Sequence, residues 1–379
     1  PKFAVGYRSA FEAYTTELQQ IWQTSRNTVI AGGRFQAGET KVKAKEKLLD
    51  TNFFSTIFSP EYNQSSQTDL ERVSVYAYDH WQLCDAFSLA MGLTYDYLRF
   101  PENSSSPPVS ERELSKEKIS PKAGFLWTPN DSTSIRGAYT RSLGGLIYDQ
   151  SVRLEPSQVA GFNQAFRSLF PESLVGSVPG SEFETFHFGF DHRFATRTYF
   201  VMEGEILKSK AVKNVGVFDF RGTFPALPSP TRQKLDYEEK SLGLALNQLL
   251  GERWSVGSRY RLSESDLKIQ SRDLRKPGDN RALLHQLSFF AIYNHPTGIF
   301  AEAQSLWWMQ DNHGYVPGLP GDDFWQFNLF SGYRFPRRHA EISLGLLNIT
   351  DQDYRLNPLS LYGELPRERT LVVSFKFNF

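Results

Sequence analysis

The sequence is poor in cysteine, has no net charge and has no long apolar run. It contains one cysteine, Cys84, in 379 residues, so no disulfide bond can form within the chain. Basic and acidic residues each number 42, and the resulting net charge of zero gives no basic excess to attract nucleic acid. The longest apolar run, about seven residues from Leu287 to Tyr293, is broken by Ser288. It is far shorter than the roughly 20 residues of a membrane-spanning helix.

Motifs for catalysis and metal binding are also missing. No cysteine and histidine spacing suits zinc, and no serine lies in a G-x-S-x-G motif. His187 and His192 flank Asp191, but their opposite parity puts them on opposite faces of a regular strand. Gly144 and Gly145 open a long loop rather than a phosphate-binding turn. We therefore predict no enzyme activity, no catalytic residue, no metal site and no cofactor.

What the sequence has is a large number of aromatic residues spaced two apart. Phenylalanine, tyrosine and tryptophan make up 15% of the chain, yet the mean hydropathy is −0.43, because polar residues separate them. The last stretch, RTLVVSFKFNF, places Leu371, Val373, Phe375, Phe377 and Phe379 on one face and mostly polar residues on the other. The stretch FSLAMGLTYDY at 87–97 alternates in the same way. This period of two indicates β-strands with one apolar face.

The alternation predicts about sixteen strands, most of them longer than the usual 5–6 residues of globular strands. They lie near 2–9, 13–24, 27–43, 69–83, 86–99, 119–129, 132–143, 182–194, 197–210, 235–249, 253–266, 282–294, 298–310, 322–335, 339–350 and 367–379. Short connections alternate with long polar loops, except around Ser9 to Ala13, where a short connection stands in place of a long one. Such alternation is typical of an up-and-down barrel whose two ends face different compartments. An even strand number places both termini at the short-turn end.

We therefore predict an all-β protein with a single domain over residues 1–379, a closed antiparallel up-and-down transmembrane β-barrel of about 16 strands. Apolar residues then face lipid and polar residues face the lumen, while closure pairs every backbone group in the hydrocarbon region. Phe375, Phe377 and Phe379 are expected to face lipid. The alternative, a soluble β-sandwich, is disfavoured by the strand lengths and by the alternating loop lengths.

Several stretches resemble the C-terminal β-barrel of TonB-dependent outer-membrane receptors. They are ERVSVYAYDHWQLCDAFSLAMGLTYDY at 71–97, ISPKAGFLWTPNDSTSIRGAYTRSL at 119–143, and LGLLNITDQDYRLNP at 344–358 followed by RERTLVVSFKFNF at 367–379. The resemblance implies the outer membrane of a bacterium, with outer-membrane lipid around the barrel. It also implies that Phe375, Phe377 and Phe379 form the C-terminal signal read by the barrel assembly machinery.

The resemblance has two departures. Family members have an N-terminal plug and a short TonB-binding segment, which we expect to be absent because the first strand begins at once. Their barrels have 22 strands, more than the sixteen counted here. The start PKFAVGYRS has no signal peptide, so we expect that one has been removed or that the chain comes from a longer protein.

Passage of a polar solute across the outer membrane is the function expected from these observations. An export pore for polysaccharide, attached to a periplasmic repeat region outside the chain, is an alternative, and a surface anchor or adhesin is a second. TonB or such a repeat domain would act through a segment not present in this chain. No nucleic acid partner is expected.

Strand parity selects twelve charged residues as candidates to line the lumen. They are Arg34, Lys122, Arg136, Arg193, Glu203, Glu205, Arg259, Arg261, Glu302, Arg334, Glu341 and Lys376. Eight are basic and four acidic, which favours anionic or neutral polar solutes as a hypothesis. The alternative is that they pair across strands and only hold the wall together.

The long loop at 144–181 is the remaining candidate. Val159, Phe162, Phe166 and Leu169 have helical spacing, and Pro171 closes the segment. We predict a short amphipathic helix, either folded into the pore as a constriction or lying on the outer rim. Phe162, Phe166 and Leu169 are its candidate constriction residues, because long structured loops in compact architectures are usually functional.

Overall fold

The computed structural model is a protein of long β-strands. It describes residues 3–48, 62–144, 153–164, 178–219, 227–271, 278–315, 318, 320–336, 339–356 and 365–377. The strands are β1 Phe3–Gln23, β2 Asn27–Leu48, β3 Tyr62–Cys84, β4 Phe87–Pro101, β5 Glu113–Asn130, β6 Thr133–Leu143, β7 Gln158–Val159, β8 Phe162–Asn163, β9 Glu182–Arg193, β10 Thr198–Asp219, β11 Leu227–Leu250, β12 Trp254–Ser271, β13 Gly278–Asn294, β14 Ile299–His313, β15 Asp323–Arg334, β16 Ala340–Leu347 and β17 Thr370–Phe377.

Fifteen of these strands form one sheet in which each strand pairs with the next along the chain. Every pairing is antiparallel, and only the two-residue strands β7 and β8 stand apart as a small hairpin. The predicted all-β, antiparallel up-and-down architecture is confirmed. Within the described residues, no helix is both long enough and apolar enough to cross a membrane.

The strand count is fifteen rather than sixteen, because the two predicted segments at 2–9 and 13–24 form the single strand β1. It pairs with β2 without interruption from Phe3 opposite Leu48 to Gln23 opposite Thr28. The connection predicted around Ser9 to Ala13 is therefore wrong. Phe3 consequently lies at the long-loop end of the sheet, so the prediction that both chain ends fall at the short-turn end is also wrong.

The two edge strands, β1 and β17, run in the same direction, from the long-loop end to the short-turn end. They occupy the two ends of the strand order, and no pairing joins them within the described residues. A direct pair between them would be parallel. Antiparallel pairing at both edges requires an odd number of further strands between them, so closure of the barrel by this chain alone stays a prediction.

Many strands are about twice as long as a bilayer requires. β10 has 22 residues and β11 has 24, whereas about 9–11 residues cross the hydrocarbon core. The connection between β11 and β12 at the short-turn end is only three residues, 251–253. The excess length therefore extends the wall beyond the membrane at the long-loop end.

The two faces of the sheet differ in the way that the alternation predicts. Phe35 on β2 is 47% exposed, whereas its neighbours Arg34 and Gln36 are 3% and 9% exposed. On β17, Phe375 and Phe377 are each 63% exposed. We call the face that carries Arg34 the inward face and the face that carries Phe35 the outward face. Phe379, also predicted to face lipid, lies outside the described residues.

Site-directed spin labels on β17 test this assignment in the bilayer. In a Cys84→Ser background, labels at Phe375 and Phe377 should collide mainly with lipid-soluble oxygen, because their side chains point into hydrocarbon. A label at Lys376 should collide mainly with a water-soluble nickel chelate. Equal accessibility to both reagents at all three positions would contradict the assignment.

Candidate functional site

A short segment between β6 and β9, residues 153–164, lies against the inward face and is called here the inner hairpin. Its strands pair Gln158 with Asn163 and Val159 with Phe162. The turn residues Ala160 and Gly161 have φ angles of 49° and 82°, and two successive positive angles define the tight hairpin turn of type I′. The predicted helix is therefore wrong over Val159 and Phe162, because this turn folds the chain back. Phe166 and Leu169 lie outside the described residues.

The carboxylate of Glu155 anchors the start of the hairpin to three adjacent strands. It accepts hydrogen bonds from Tyr78 Oη on β3 at 2.6 Å, Thr94 Oγ1 on β4 at 3.0 Å and Lys122 Nζ on β5 at 2.8 Å. The side chains of Lys122 and Glu155 are only 4% and 7% exposed. A buried ion pair of this kind is stable only when further hydrogen bonds satisfy both charges, as they do here.

These contacts stabilise the ionised form of the Glu155 carboxyl. Burial of the carboxyl alone would raise its pKa, because desolvation disfavours the charged form. The ammonium of Lys122 and the hydrogen bonds from Lys122 and Tyr78 outweigh burial, and they lower the pKa of Glu155 to about 2. The anchor is therefore ionised throughout the physiological range.

A second anchor fastens the hairpin to β1. The carboxylate of Glu17 accepts hydrogen bonds from the backbone amides of Leu154 and Glu155 at 2.9 and 3.0 Å. Gln19 donates its side-chain amide to the carbonyl of Leu154 at 2.6 Å. Both backbone amides and the carbonyl at the start of the hairpin thus have partners on β1.

The apolar tip of the hairpin packs onto β6 and β9. Val159 and Phe162 are 2% and 8% exposed and belong to one apolar cluster with Ala138. The ring of Phe162 stacks on His187 with 4.8 Å between the ring centroids, and the guanidinium of Arg136 lies 5.0 Å from the Phe162 ring centroid. The tip of the hairpin is therefore held by contacts of the Phe162 ring, whereas its start is held by ion-pair and hydrogen-bond contacts of carboxylates.

Two glycines on the wall make room for this tip. A Cβ at Gly124 would lie 2.8 Å from Ala160 Cβ, and one at Gly189 would lie 3.1 Å from Phe162 Cζ. The first distance is shorter than real carbon contacts allow. A side chain at position 124 therefore forces the hairpin away from β5.

The strand registers place all twelve predicted lumen-lining residues on the inward face, the face that carries the hairpin. Two of them, Lys122 and Arg136, contact the hairpin through the bonds described above. Glu203 lies beside them, since Arg136 is 3.3 Å from both Asp191 and Glu203. Their role in lining a lumen remains a prediction.

The remaining candidates are spread over the wall. Glu205 lies 3.4 Å from His187, and Arg334 lies 2.8 Å from Glu341 on the neighbouring strand. Arg193 borders a cavity of about 690 Å³ at the short-turn end of β5, β6 and β9. Lys376 lies directly opposite Glu341 in the register of β16 and β17. Arg34 lies on β2, Arg259 and Arg261 lie on β12, and Glu302 lies on β14. Across the residues that the structure describes, no group of three or more potential metal ligands is present.

The sequence analysis missed the residues that hold the hairpin. Tyr78 has the even parity of the inward positions on β3, so the alternation that selected charged residues would have selected it too. Glu155 lies in a loop without periodicity, and its partner Lys122 is 33 residues away, so no local signal connects them.

Glu155→Gln should release the start of the hairpin. The substitution leaves the buried ammonium of Lys122 without a counter-charge, and breaking a buried ion pair costs about 3–5 kcal/mol. Hydrogen exchange of the 153–164 amides should therefore accelerate by two orders of magnitude or more. The matched control is Glu203→Gln, because the side chain of Glu203 is 57% exposed and Arg136 keeps Asp191 as a partner. Unchanged protection in Glu155→Gln would contradict the anchor.

The same anchor predicts release of the hairpin in acid. A carboxyl whose pKa is about 2 when docked and near its ordinary value of 4.5 when undocked stabilises docking above pH 4.5. This contribution, about 3 kcal/mol, is lost as the pH falls from 4.5 through 2. A spin label at Asn163 in a Cys84→Ser background should gain mobility in that window. Glu155→Gln should lack the transition, and a transition of equal size in that variant would rule out Glu155 as its source.

The comparisons with known proteins agree with this architecture. Residues 5–172 match the family described as TonB dependent receptor-like, beta-barrel. No curated protein matches the chain. Among solved structures, the siderophore receptor PiuA from Acinetobacter baumannii is 15% identical over 98% of this chain and 56% of its own, with a TM-score of 0.59.

Two further structures have the same fold. The ferric yersiniabactin uptake receptor FyuA from Yersinia pestis is 11% identical over 100% of this chain and 55% of its own, with a TM-score of 0.63. The copper transporter OprC is 13% identical over 99% and 58%, with a TM-score of 0.59. The chain thus spans between 55% and 58% of the length of these three structures. With its fifteen-stranded sheet and the family match over residues 5–172, the chain resembles the β-barrels of TonB-dependent receptors, which are proteins of the bacterial outer membrane.

Proposed function

We propose that the chain forms the wall of an outer-membrane transporter for a polar solute and that the inner hairpin is a fixed constriction of its lumen. The observation that carries this proposal is the attachment of the hairpin to the inward face of six strands, β1, β3, β4, β5, β6 and β9. A segment that is fastened at so many points narrows the passage permanently and does not behave as a mobile loop.

The chemistry of the inward face supports a polar solute. The face presents buried hydroxyls and amides such as Thr40, Gln36 and Asn328 together with the charged pairs described above. The eight basic and four acidic candidates favour an anionic or neutral polar solute over a cation. The similar structures are a siderophore receptor, a ferric yersiniabactin uptake receptor and a copper transporter, so proteins of this fold carry different solutes.

The partners of such a transporter follow from the same proposal. Energy for uptake would come from TonB, and insertion would need the barrel assembly machinery acting on the last strand. The exposed outward positions Phe375 and Phe377 of β17 offer that machinery an apolar face beside a strand edge that has no partner among the described residues. Outer-membrane lipid covers the part of the outward face that lies within the bilayer.

Removal of the hairpin tests the proposed constriction. In the full-length protein, replacing residues 156–163 by a Gly-Ser linker should widen the passage, because Val159 and Phe162 no longer occupy the inward face. Cells that carry the variant should become several-fold more sensitive to a large antibiotic that the outer membrane normally excludes. The matched control is a Gly-Ser replacement of residues 103–110 in the β4–β5 loop, which lies outside the inner hairpin.

Current measurements on the same variants in planar lipid bilayers give a second readout. The linker variant should conduct more than the wild type, with a reversal potential in a salt gradient that is neutral or anion-selective. Equal conductance of wild type and linker variant would refute the constriction. Strong cation selectivity would refute the anionic or neutral solute while leaving the constriction intact.

A further inference from the structure

The outward face of β2 changes its chemistry abruptly along the strand. Its outward positions are first Val29, Ala31, Gly33, Phe35 and Ala37, and then Glu39, Lys41, Lys43, Lys45 and Lys47. The nonpolar part spans positions 29–37, which matches the 9–11 residues that a strand needs to cross the hydrocarbon core. The lysines therefore lie beyond the hydrocarbon at the long-loop end.

Among the described residues, no acid lies directly opposite Lys43, Lys45 or Lys47. Arg8 of β1 lies directly opposite Lys43, and like charges placed directly opposite each other destabilise a sheet. On the other side, β3 presents Ser65 opposite Lys43 and Asn63 opposite Lys45. We call Arg8, Lys43, Lys45 and Lys47 the basic ladder. These four exposed side chains form no ion pair with any residue that the structure describes.

Several outward cations elsewhere on the sheet lie beside acids. The carboxylate of Glu238 lies 3.7 Å from the ammonium of Lys208 and 2.7 Å from that of Lys240. Arg281 pairs with Glu264. The basic ladder differs from these pairs, because Arg8 and Lys43 lie directly opposite each other and no described acid pairs with either of them.

We propose that the basic ladder binds the phosphorylated sugar part of a glycolipid in the outer leaflet of the membrane. Successive outward residues on one strand are about 6.6 Å apart, so one phosphate can sit between two ammonium groups of the ladder. An anion at this place removes the repulsion between Arg8 and Lys43. Clusters of basic residues at a membrane surface attract anionic lipid in the same way.

The height of the ladder selects this lipid over a simple phospholipid. Positions 43–47 follow Ala37 by six to ten residues. At about 3.3 Å per residue and a strand tilt of about 40°, they lie roughly 15–25 Å beyond the hydrocarbon boundary. The polar headgroup region adds only about 5–8 Å on each side of the bilayer. A phosphate at the level of the ladder must therefore be carried on sugars that extend from the lipid.

The test measures binding of purified lipopolysaccharide to the full-length protein in nanodiscs. Lys43→Gln, Lys45→Gln and Lys47→Gln are combined in one variant, and Lys208→Gln, Lys240→Gln and Arg281→Gln form the charge-matched control. Binding by the ladder variant should be at least tenfold weaker than binding by wild type and control. A heat-modifiable gel shift equal to that of wild type verifies that each variant is folded.

Two further arms identify the chemistry. Dephosphorylated lipopolysaccharide should bind wild type as weakly as the intact lipid binds the ladder variant, and raised salt should remove the difference between the proteins. The proposal is overturned if the ladder variant binds intact lipopolysaccharide like wild type, or if the control loses as much as the ladder variant. It is also overturned if dephosphorylation leaves wild-type binding unchanged, since the ladder would then contact something other than phosphate.

Discussion

The structure depends on one constraint: inside hydrocarbon, every backbone amide and carbonyl must find its partner within the protein. Antiparallel strands meet this constraint by pairing residue by residue, as β10 and β11 do over 22 consecutive positions. Because strand pairing satisfies the backbone hydrogen bonds, the side chains can differ between the two faces of the sheet. The outward face then matches lipid, and the inward face can hold the charges that a lipid-facing surface excludes.

How well the sequence predicted each strand depends on which end of the strand is considered. At the short-turn end, the start of β2 at Asn27 and the end of β9 at Arg193 lie within one residue of the predicted bounds. At the long-loop end, the prediction stopped too early, for example at 210 for β10, which continues to Asp219. Beyond the bilayer, water lies on both sides of the wall. The apolar alternation fades there although the backbone pairing continues.

The inner hairpin was predictable only in part. A pore-narrowing loop was expected at 144–181, and Phe162 was among its expected residues, but its local structure was read as a helix. The spacing of Val159 and Phe162 suits both a helix and a tight hairpin, and a short apolar pattern cannot separate them. The decisive information is the pairing of Glu155 with Lys122, which depends on tertiary structure. The local sequence around a charged residue in a polar loop does not indicate which buried residue it pairs with in the folded protein.

The common direction of the edge strands β1 and β17 has a consequence for self-association. Two copies inserted in the same orientation could bring their free edges together only in parallel, whichever edges meet. Parallel pairs are slightly less stable per residue than antiparallel ones and would interrupt an otherwise uniform ladder. The direction of β1 and β17 thus disfavours pairing between the edges of two copies of this sheet. It favours pairing with strands that run antiparallel to them.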